Sequence, residues 1–186
     1  MGKLIYLLNV SLDGFVETPD HSLDWTVIDD ELHSWFNEQE RTTAASLYGR
    51  GMWETMGYWP TAESDPSATA VMKEYGRLWM DTPKIVFSST LDSVDGNARL
   101  AKADIHTELA KAREEFSGDL AVSGATLASA FVRAGLVDEY RLVVHPVVIG
   151  QGTPFFPRDL EQPLKLRQVD SKRFASGAYY LAYEAI

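Results

Sequence analysis

The chain has 186 residues, of which 45% are hydrophobic and 24% charged, and it contains no cysteine. This composition suits one compact globular domain, 1–186, and the absence of thiols excludes disulfides, thiolate metal sites and cysteine nucleophiles. A formal net charge of -10 argues against nucleic acid or an anionic membrane surface as the main partner, because both require a basic face.

Neither a metal site nor a membrane segment is expected. The four histidines, His21, His33, His106 and His145, are scattered without the spacing of metal ligands. No apolar run reaches the roughly 20 residues of a spanning helix, and Lys3 leads directly into an alternating segment rather than a signal peptide. We therefore expect a soluble cytoplasmic protein.

In chain order, apolar runs alternate with helical patterns. The runs that predict strands lie at 4–10, 44–48, 84–87, 97–100, 120–122, 140–149, 164–169 and 179–184. Helical patterns follow Asp29 or Asp30, Gly49, Asp65, Asp104 and Gly124. The alternation predicts an α/β fold with a mostly parallel sheet and helices on both faces. The last two strands, joined at 175–177, predict an antiparallel hairpin at one edge.

Two connections carry specific signals. Asp13-Gly14 is a turn signal, and the polar stretch from there to Asp24 predicts a mobile loop beside the end of the first strand. Asp65-Pro66 combines a capping residue with proline at the first helical position, so it predicts a helix start.

The stretch 119–157 predicts a strand, a tight turn, a helix and a further strand. Residues at helical spacing define one face of this helix: Leu127, Ala130, Phe131 and Ala134. Gly135 lies where a left-handed C-terminal cap would fall. The turn at Gly124 and Ala125 presents free backbone N–H groups at a helix start, where the dipole favours an anion such as a phosphate. A tight connection that needs a small residue for packing alone remains an alternative.

Three predicted turns suit the phosphates of a dinucleotide. They contain Gly49 and Arg50; Ser88, Ser89 and Thr90; and Ser123, Gly124 and Ala125. We expect them to meet, because the carboxyl ends of parallel strands share one edge. Arginine with hydroxyl groups favours the ribose 2′-phosphate of NADPH over NADH. The alternatives are that the serines only form turns and that Arg50 is a surface cation. No G-x-G-x-x-G fingerprint is present.

Four motifs together resemble the dihydrofolate reductase-like superfamily, most closely its RibD C-terminal domain branch, the reductase domain of bacterial riboflavin biosynthesis enzymes. They are NVSLDGFVE at 9–17, YGRGMWETMG at 48–57, KIVFSST at 84–90 and GLVDEYRLVVHPVVIGQGTPFF at 135–156. The resemblance covers nearly the whole chain. It implies a three-layer αβα sandwich on a mixed sheet of about eight strands, an NADPH site and a homodimer.

The resemblance also implies the residues at the cofactor. They are Val10, Gly49, Arg50, Ser88, Ser89, Thr90, Ser123, Gly124, Ala125, Thr126 and Leu127. In dihydrofolate reductases the segment similar to 123–125 covers the pyrophosphate and contains a cis peptide, so we predict a cis peptide between Ser123 and Gly124. The loop 11–25 resembles the mobile lid beside the nicotinamide.

Catalytic residues are the least defined. Glu31 is the nearest match to the acidic residue that orients the pterin in dihydrofolate reductases, and Asp30 is next; either could instead be a helix-start acid that interacts with the dipole. Asp13 belongs to the similar SLDG turn, and ordering of that turn is the alternative to a role in proton transfer. The expected function is an NADPH-dependent reductase that passes hydride to a C=N or C=O carbon of a small heterocyclic or sugar-derived substrate. The alternatives are a true dihydrofolate reductase and a non-catalytic nucleotide-binding or regulatory protein.

Overall fold

The computed structural model describes residues 2–186. The strands are β1 (Leu4–Ser11), β2 (Phe15–Glu17), β3 (Thr43–Gly49), β4 (Lys84–Phe87), β5 (Ala98–Leu100), β6 (Asp119–Ser123), β7 (Glu139–His145), β8 (Thr153–Pro154), β9 (Leu166–Arg173) and β10 (Tyr179–Ala185). The helices are α1 (Asp30–Thr42), α2 (Arg50–Thr55), α3 (Ala70–Asp81), α4 (Ile105–Glu115) and α5 (Ala125–Arg133), with a 3₁₀ helix over Met56–Ser64.

Eight strands form one mixed sheet in the order β5-β4-β3-β6-β1-β7-β10-β9. The strands from β5 to β7 are parallel to one another, and β10 and β9 are antiparallel at the edge. The mostly parallel sheet and the C-terminal hairpin are therefore confirmed. The short strands β2 and β8 pair separately, which joins the loop after β1 to the segment after β7.

Helices cover both faces of this sheet. On one face, Leu109 of α4 and Phe131 of α5 pack with Leu4 and Leu47 in the main core. On the other, Leu32 of α1 packs against the β7 and β10 side of the sheet, and α3 packs against β3 and β4. Neighbouring strand residues point to opposite faces, so both faces of the central strands are apolar, as parallel sheets require. The result is a three-layer αβα sandwich.

Two helix predictions are wrong in detail. Asp65 does not start a helix: it follows the 3₁₀ helix, and its carboxylate accepts hydrogen bonds from the N–H and hydroxyl of Ser67. Helix α3 begins at Ala70 instead, where the Thr69 hydroxyl caps the N–H of Met72. In α5 the buried face is Ala125, Ala128, Phe131 and Val132, so the helix is rotated from the predicted face.

A buried lysine lies at the C-terminal end of α3. Lys84 is 3% exposed, and its ammonium group donates to the carbonyls of Trp79 and Thr82, the latter at 2.7 Å. It also lies 3.9 Å from the centroid of the Trp79 ring. The carbonyl end of a helix attracts a cation, which explains why a charged residue is accepted at this position.

The burial of Lys84 predicts a pH-dependent stability. Burial lowers its pKa from 10.5 to about 8, while the charges of Glu40 and Asp81 act in the opposite direction. Because the folded pKa is below the unfolded one, the unfolded chain binds more protons between these values, and stability rises with pH. We expect the free energy of unfolding to rise by about 1.5 kcal/mol from pH 8 to 9.5 in urea titrations.

The substitution Lys84→Met should remove this rise, and Lys102→Met, at an exposed lysine, should retain it. Unfolding free energies that stay flat over this range in the unsubstituted protein would contradict the assignment.

Candidate cofactor and substrate site

The turns after β3 and β4 are joined directly at the carboxyl edge of the sheet. Arg50, the first residue of α2, donates from Nη1 to the hydroxyl of Thr90 at 2.9 Å and from Nε to Glu54 at 2.7 Å. Strands β3 and β4 are neighbours in the sheet, so these turns form one side of a shared rim. The guanidinium is anchored there at two points, and the Arg50 side chain remains 53% exposed.

The turn after β6 closes on the turn after β3. An added Cβ at Gly49 would lie 3.3 Å from Cβ of Leu127, and one at Gly124 would lie 3.0 Å from Cβ of Met52. The starts of α2 and α5 therefore approach each other closely across the rim. Gly124 also has φ of +93°, a conformation that favours glycine. The structure thus brings together the three turns that the sequence predicted to meet.

The remaining predicted cofactor residues differ in their surroundings. Ser89, Thr90 and Thr126 are exposed at the rim, and Ala125 is buried at the start of α5. The Ser88 hydroxyl accepts hydrogen bonds from the N–H groups of Thr90 and Leu91 at 3.1 and 3.0 Å, so this serine shapes its turn. Val10 is buried in the main core below the rim.

The peptide bond between Ser123 and Gly124 is trans, so the predicted cis peptide is wrong. The positive φ of Gly124 reverses the chain between β6 and α5 with a trans bond. A cis bond before a residue other than proline costs about 2.5–4 kcal/mol, which this turn does not incur.

The loop after β1 is fastened to the segment after β7 by Asp13. Its carboxylate accepts from the Ser11 hydroxyl at 2.7 Å, the Gly150 N–H at 2.8 Å and the Ile149 N–H at 3.2 Å. These hydrogen bonds, that from Ser11 foremost, lower the pKa of Asp13. The contacts favour the alternative that Asp13 orders the turn, since a proton donor would have to be protonated.

The substitution Asp13→Asn should loosen this fastening, because an amide cannot accept at both of its terminal atoms. We expect faster hydrogen exchange at the amides of Ile149 and Gly150. The control is Asp20→Asn, because the Asp20 carboxylate accepts from Thr18 within the same loop. Unchanged exchange at 149 and 150 in the Asp13 variant would contradict the assigned role.

Glu31 lies away from the three turns. Its carboxylate accepts from the N–H of Ala175 at 3.0 Å and lies 3.5 Å from the ammonium group of Lys172. These contacts tie the start of α1 to the β9–β10 hairpin. Asp29 is the residue that caps α1, accepting from the N–H of Leu32, and Asp30 is exposed. The structure therefore gives Glu31 contacts with the hairpin and none with the predicted cofactor turns.

A polar pair that the sequence did not single out lies at the ends of the next two strands along the rim. His145 of β7, 1% exposed, has Nε2 at 2.8 Å from Oδ1 of Asn9 in β1. Its Nδ1 accepts from the Val27 N–H at 3.4 Å, and its ring meets Trp25 edge-on at 5.6 Å between centroids. Burial lowers the pKa of His145. Only the pairing of β1 with β7 reveals this group, because 136 positions separate the two residues.

Residues 2–180 match the family model described as the RibD C-terminal domain. The chain belongs to the RibD C-terminal domain family. The uncharacterized protein YyaP of Bacillus subtilis is 33% identical over 182 residues, which cover 97% of this chain and 94% of YyaP. The similarity covers almost the full length of both proteins.

Solved structures with low identity share the fold of this RibD C-terminal domain. A deaminase/5-amino-6-(5-phosphoribosylamino)uracil reductase of Thermotoga maritima has a TM-score of 0.67 at 17% identity, covering 100% of this chain and 57% of that protein. Dihydrofolate reductase of Enterococcus faecalis, complexed with NADP(H), has a TM-score of 0.65 at 18% identity, with coverage of 99% and 96%. Both are similar in architecture, so the fold is dihydrofolate reductase-like.

Two further features bear on the kind of site. Within residues 2–186, no helix is long and apolar enough to cross a membrane. Over the same residues, no cluster of three or more histidine, aspartate or glutamate side chains is arranged to hold a metal ion.

Proposed function

We propose that this RibD C-terminal domain is an NADPH-dependent reductase acting on a small heterocyclic or sugar-derived substrate. The observation that carries the proposal is the convergence of the turns after β3, β4 and β6. Arg50 contacts Thr90, and the start of α2 contacts the start of α5, along one rim. Rims of this kind, at the carboxyl ends of parallel strands, are where α/β proteins bind nucleotides.

The residues present fit the phosphates of NADPH. Arg50 is a permanent cation whose side chain is 53% exposed, and the exposed residues Ser89 and Thr90 lie in the turn that it contacts. A 2′-phosphate there would gain charge-assisted hydrogen bonds that the 2′-hydroxyl of NADH cannot match. The N–H groups at the start of α5 would face the pyrophosphate.

The chemistry that NADPH supplies when bound is a hydride. The carbon of a substrate C=N or C=O bond accepts it, the bonding pair moves to the heteroatom, and that atom takes a proton from water, leaving NADP⁺ and the reduced substrate. The protein's part is to hold the cofactor and the substrate together at the rim.

The test is NADPH oxidation at 340 nm with 5-amino-6-(5-phosphoribosylamino)uracil, dihydrofolate and small aldehydes. We expect turnover of 5-amino-6-(5-phosphoribosylamino)uracil or a similar compound. We expect little turnover of dihydrofolate, because Glu31 contacts the β9–β10 hairpin instead of the rim. Preferred turnover of dihydrofolate would make the protein a true dihydrofolate reductase.

The same placement of Glu31 favours one alternative from another class, a nucleotide-binding or regulatory protein without turnover. That alternative predicts tight NADPH binding with no oxidation across the whole substrate panel. Turnover of any panel member with saturating NADPH would exclude it.

We also propose a homodimer that covers β9. This strand is outermost in the sheet, and seven of its eight residues are exposed. Val169 of β9 is 42% exposed, and Tyr179 at the start of the neighbouring β10 is 45% exposed. An uncovered edge strand favours pairing with another chain.

Sedimentation should therefore give twice the 20.8 kDa mass of one chain. The substitution Val169→Asp should yield monomers, and Val148→Asp, at an exposed valine in the segment after β7, should leave the dimer intact. A monomeric unsubstituted protein would contradict this proposal.

A further inference from the structure

The rim continues past the three cofactor turns to the ends of β1 and β7. In the sheet, β6 lies beside β1 and β1 beside β7, so these strand ends are the next positions along the same edge. Asn9 and His145 lie there, and both side chains point to the face that α1 covers, since Val10 between Asn9 and Ser11 belongs to the opposite core. The pair is thus placed beside the cofactor turns and close to the loop after β1.

The hydrogen bonds of this pair have a fixed direction. The backbone N–H of Val27 can only donate, so Nδ1 of His145 carries the lone pair. In a neutral imidazole the proton is then on Nε2, which donates to Oδ1 of Asn9. The carbonyl oxygen of the Asn9 amide is therefore held toward the histidine, and its NH₂ group is directed away from it.

That NH₂ group has no hydrogen-bond acceptor among residues 2–186, and it is not among their buried polar atoms that lack a partner. It is consequently accessible at the rim. Two oriented N–H donors at a strand end, beside a cofactor groove, match a ligand atom with a lone pair.

We propose that Asn9 determines substrate specificity by donating from its amide NH₂ to a carbonyl oxygen or an unprotonated ring nitrogen of the substrate, and that His145 is the positioning residue that fixes the direction of this amide. The inference rests on the proposed reductase function, since it assigns the substrate side of the same rim. It names the substrate class as a heterocycle that presents a hydrogen-bond acceptor at this position. A substrate with only a donor there would leave the amide N–H groups facing another N–H group.

The test is calorimetric titration of 5,6-diaminouracil, which carries two ring carbonyls, into the NADP⁺-saturated protein. Asn9→Asp keeps the shape of the side chain but replaces the NH₂ donor by an acceptor, so we expect at least a tenfold loss of affinity. Asn97→Asp makes the same chemical and charge change on the far β5 edge, where the amide donates to the carbonyl of Asp81, and should stay within twofold. The proposal would be overturned if the unsubstituted protein fails to bind 5,6-diaminouracil, or if Asn9→Asp and Asn97→Asp bind it with equal affinity.

A separate spectroscopic signature tests the role of His145. ¹⁵N spectra of the imidazole should show the neutral tautomer with the proton on Nε2, and 5,6-diaminouracil should shift the side-chain NH₂ signals of Asn9. The opposite tautomer, or unshifted Asn9 signals at saturation, would contradict the inference. Cofactor titration tests the reductase proposal separately: if the unsubstituted protein binds neither NADP⁺ nor NADPH, the reductase proposal is rejected whatever happens at Asn9.

Discussion

Replacing Arg50 by alanine is expected to weaken NADPH binding by about 10- to 100-fold, because charge-assisted hydrogen bonds to a phosphate contribute about 1.5–3 kcal/mol. NADH affinity should change little, since its adenine ribose carries a hydroxyl where NADPH carries the phosphate. Calorimetric titration of both cofactors into both proteins measures the difference. Loss of the surface ion pair with Glu54 should matter little to stability, because such pairs contribute about 0–1 kcal/mol.

Two further variants sharpen this prediction. Arg50→Lys keeps the charge but loses the planar fork, and we expect an intermediate affinity for NADPH. Arg77→Ala removes an arginine of α3 that pairs with Glu63 on the surface and should bind both cofactors as the unsubstituted protein does. If Arg50→Ala retains the same preference between NADPH and NADH, the 2′-phosphate does not lie at this arginine.

Replacing Gly124 by alanine should reduce both stability and NADPH binding. Its φ of +93° is rarely adopted by residues with a side chain, and the new Cβ would lie 3.0 Å from Cβ of Met52. A residue held in such a conformation costs about 1–3 kcal/mol, and relief of the clash would push α2 away from α5. Urea unfolding should show the first effect, and an NADPH titration should show affinity lowered by about tenfold, equivalent to 1.4 kcal/mol.

Gly135→Ala is the matched control. Gly135 has φ of +64°, but no atom lies within 4 Å of an added Cβ there. The variant should lose about 1–2 kcal/mol of stability from the left-handed conformation and bind NADPH normally. If Gly124→Ala also binds NADPH normally, the closeness of the two turns is not required for the cofactor.

The layers of the fold could be predicted because local patterns decide them. The run from Lys84 to Phe87 is bounded by Pro83 and Ser88, and its predicted strand is confirmed residue for residue. Asp104 caps α4 through the N–H groups of His106 and Thr107, as a capping residue before a helical pattern predicts. In both cases the determining residues are neighbours in sequence.

Two predictions failed because a residue that fits one local pattern makes a different contact in the structure. Asp65 carries a strong helix-start signal, but its carboxylate instead fixes the turn that ends the 3₁₀ helix. The face of α5 was misassigned because Leu127 follows helical spacing yet lies close to Gly49 at the rim and is only partly buried.

The contacts of Glu31 and Asn9 could not be predicted because they depend on distant pairing. Glu31 and Ala175 are 144 positions apart, and their hydrogen bond forms only when the C-terminal hairpin packs beside α1. Asn9 meets His145 only through the parallel register of β1 and β7. No local pattern distinguishes His145 from the other three histidines. The turns after β3, β4 and β6, by contrast, each follow a recognisable strand, so their meeting at one edge could be predicted from topology alone.

The central claim is that the turns after β3, β4 and β6 together bind a dinucleotide with a 2′-phosphate. The most direct measurement is the shift in unfolding temperature of the purified protein with NADPH and with NADH at equal concentrations, since a ligand that binds only the folded state stabilises it by mass action. The account predicts a clear upward shift with NADPH and a much smaller one with NADH. No shift with either cofactor, or equal shifts with both, would contradict it.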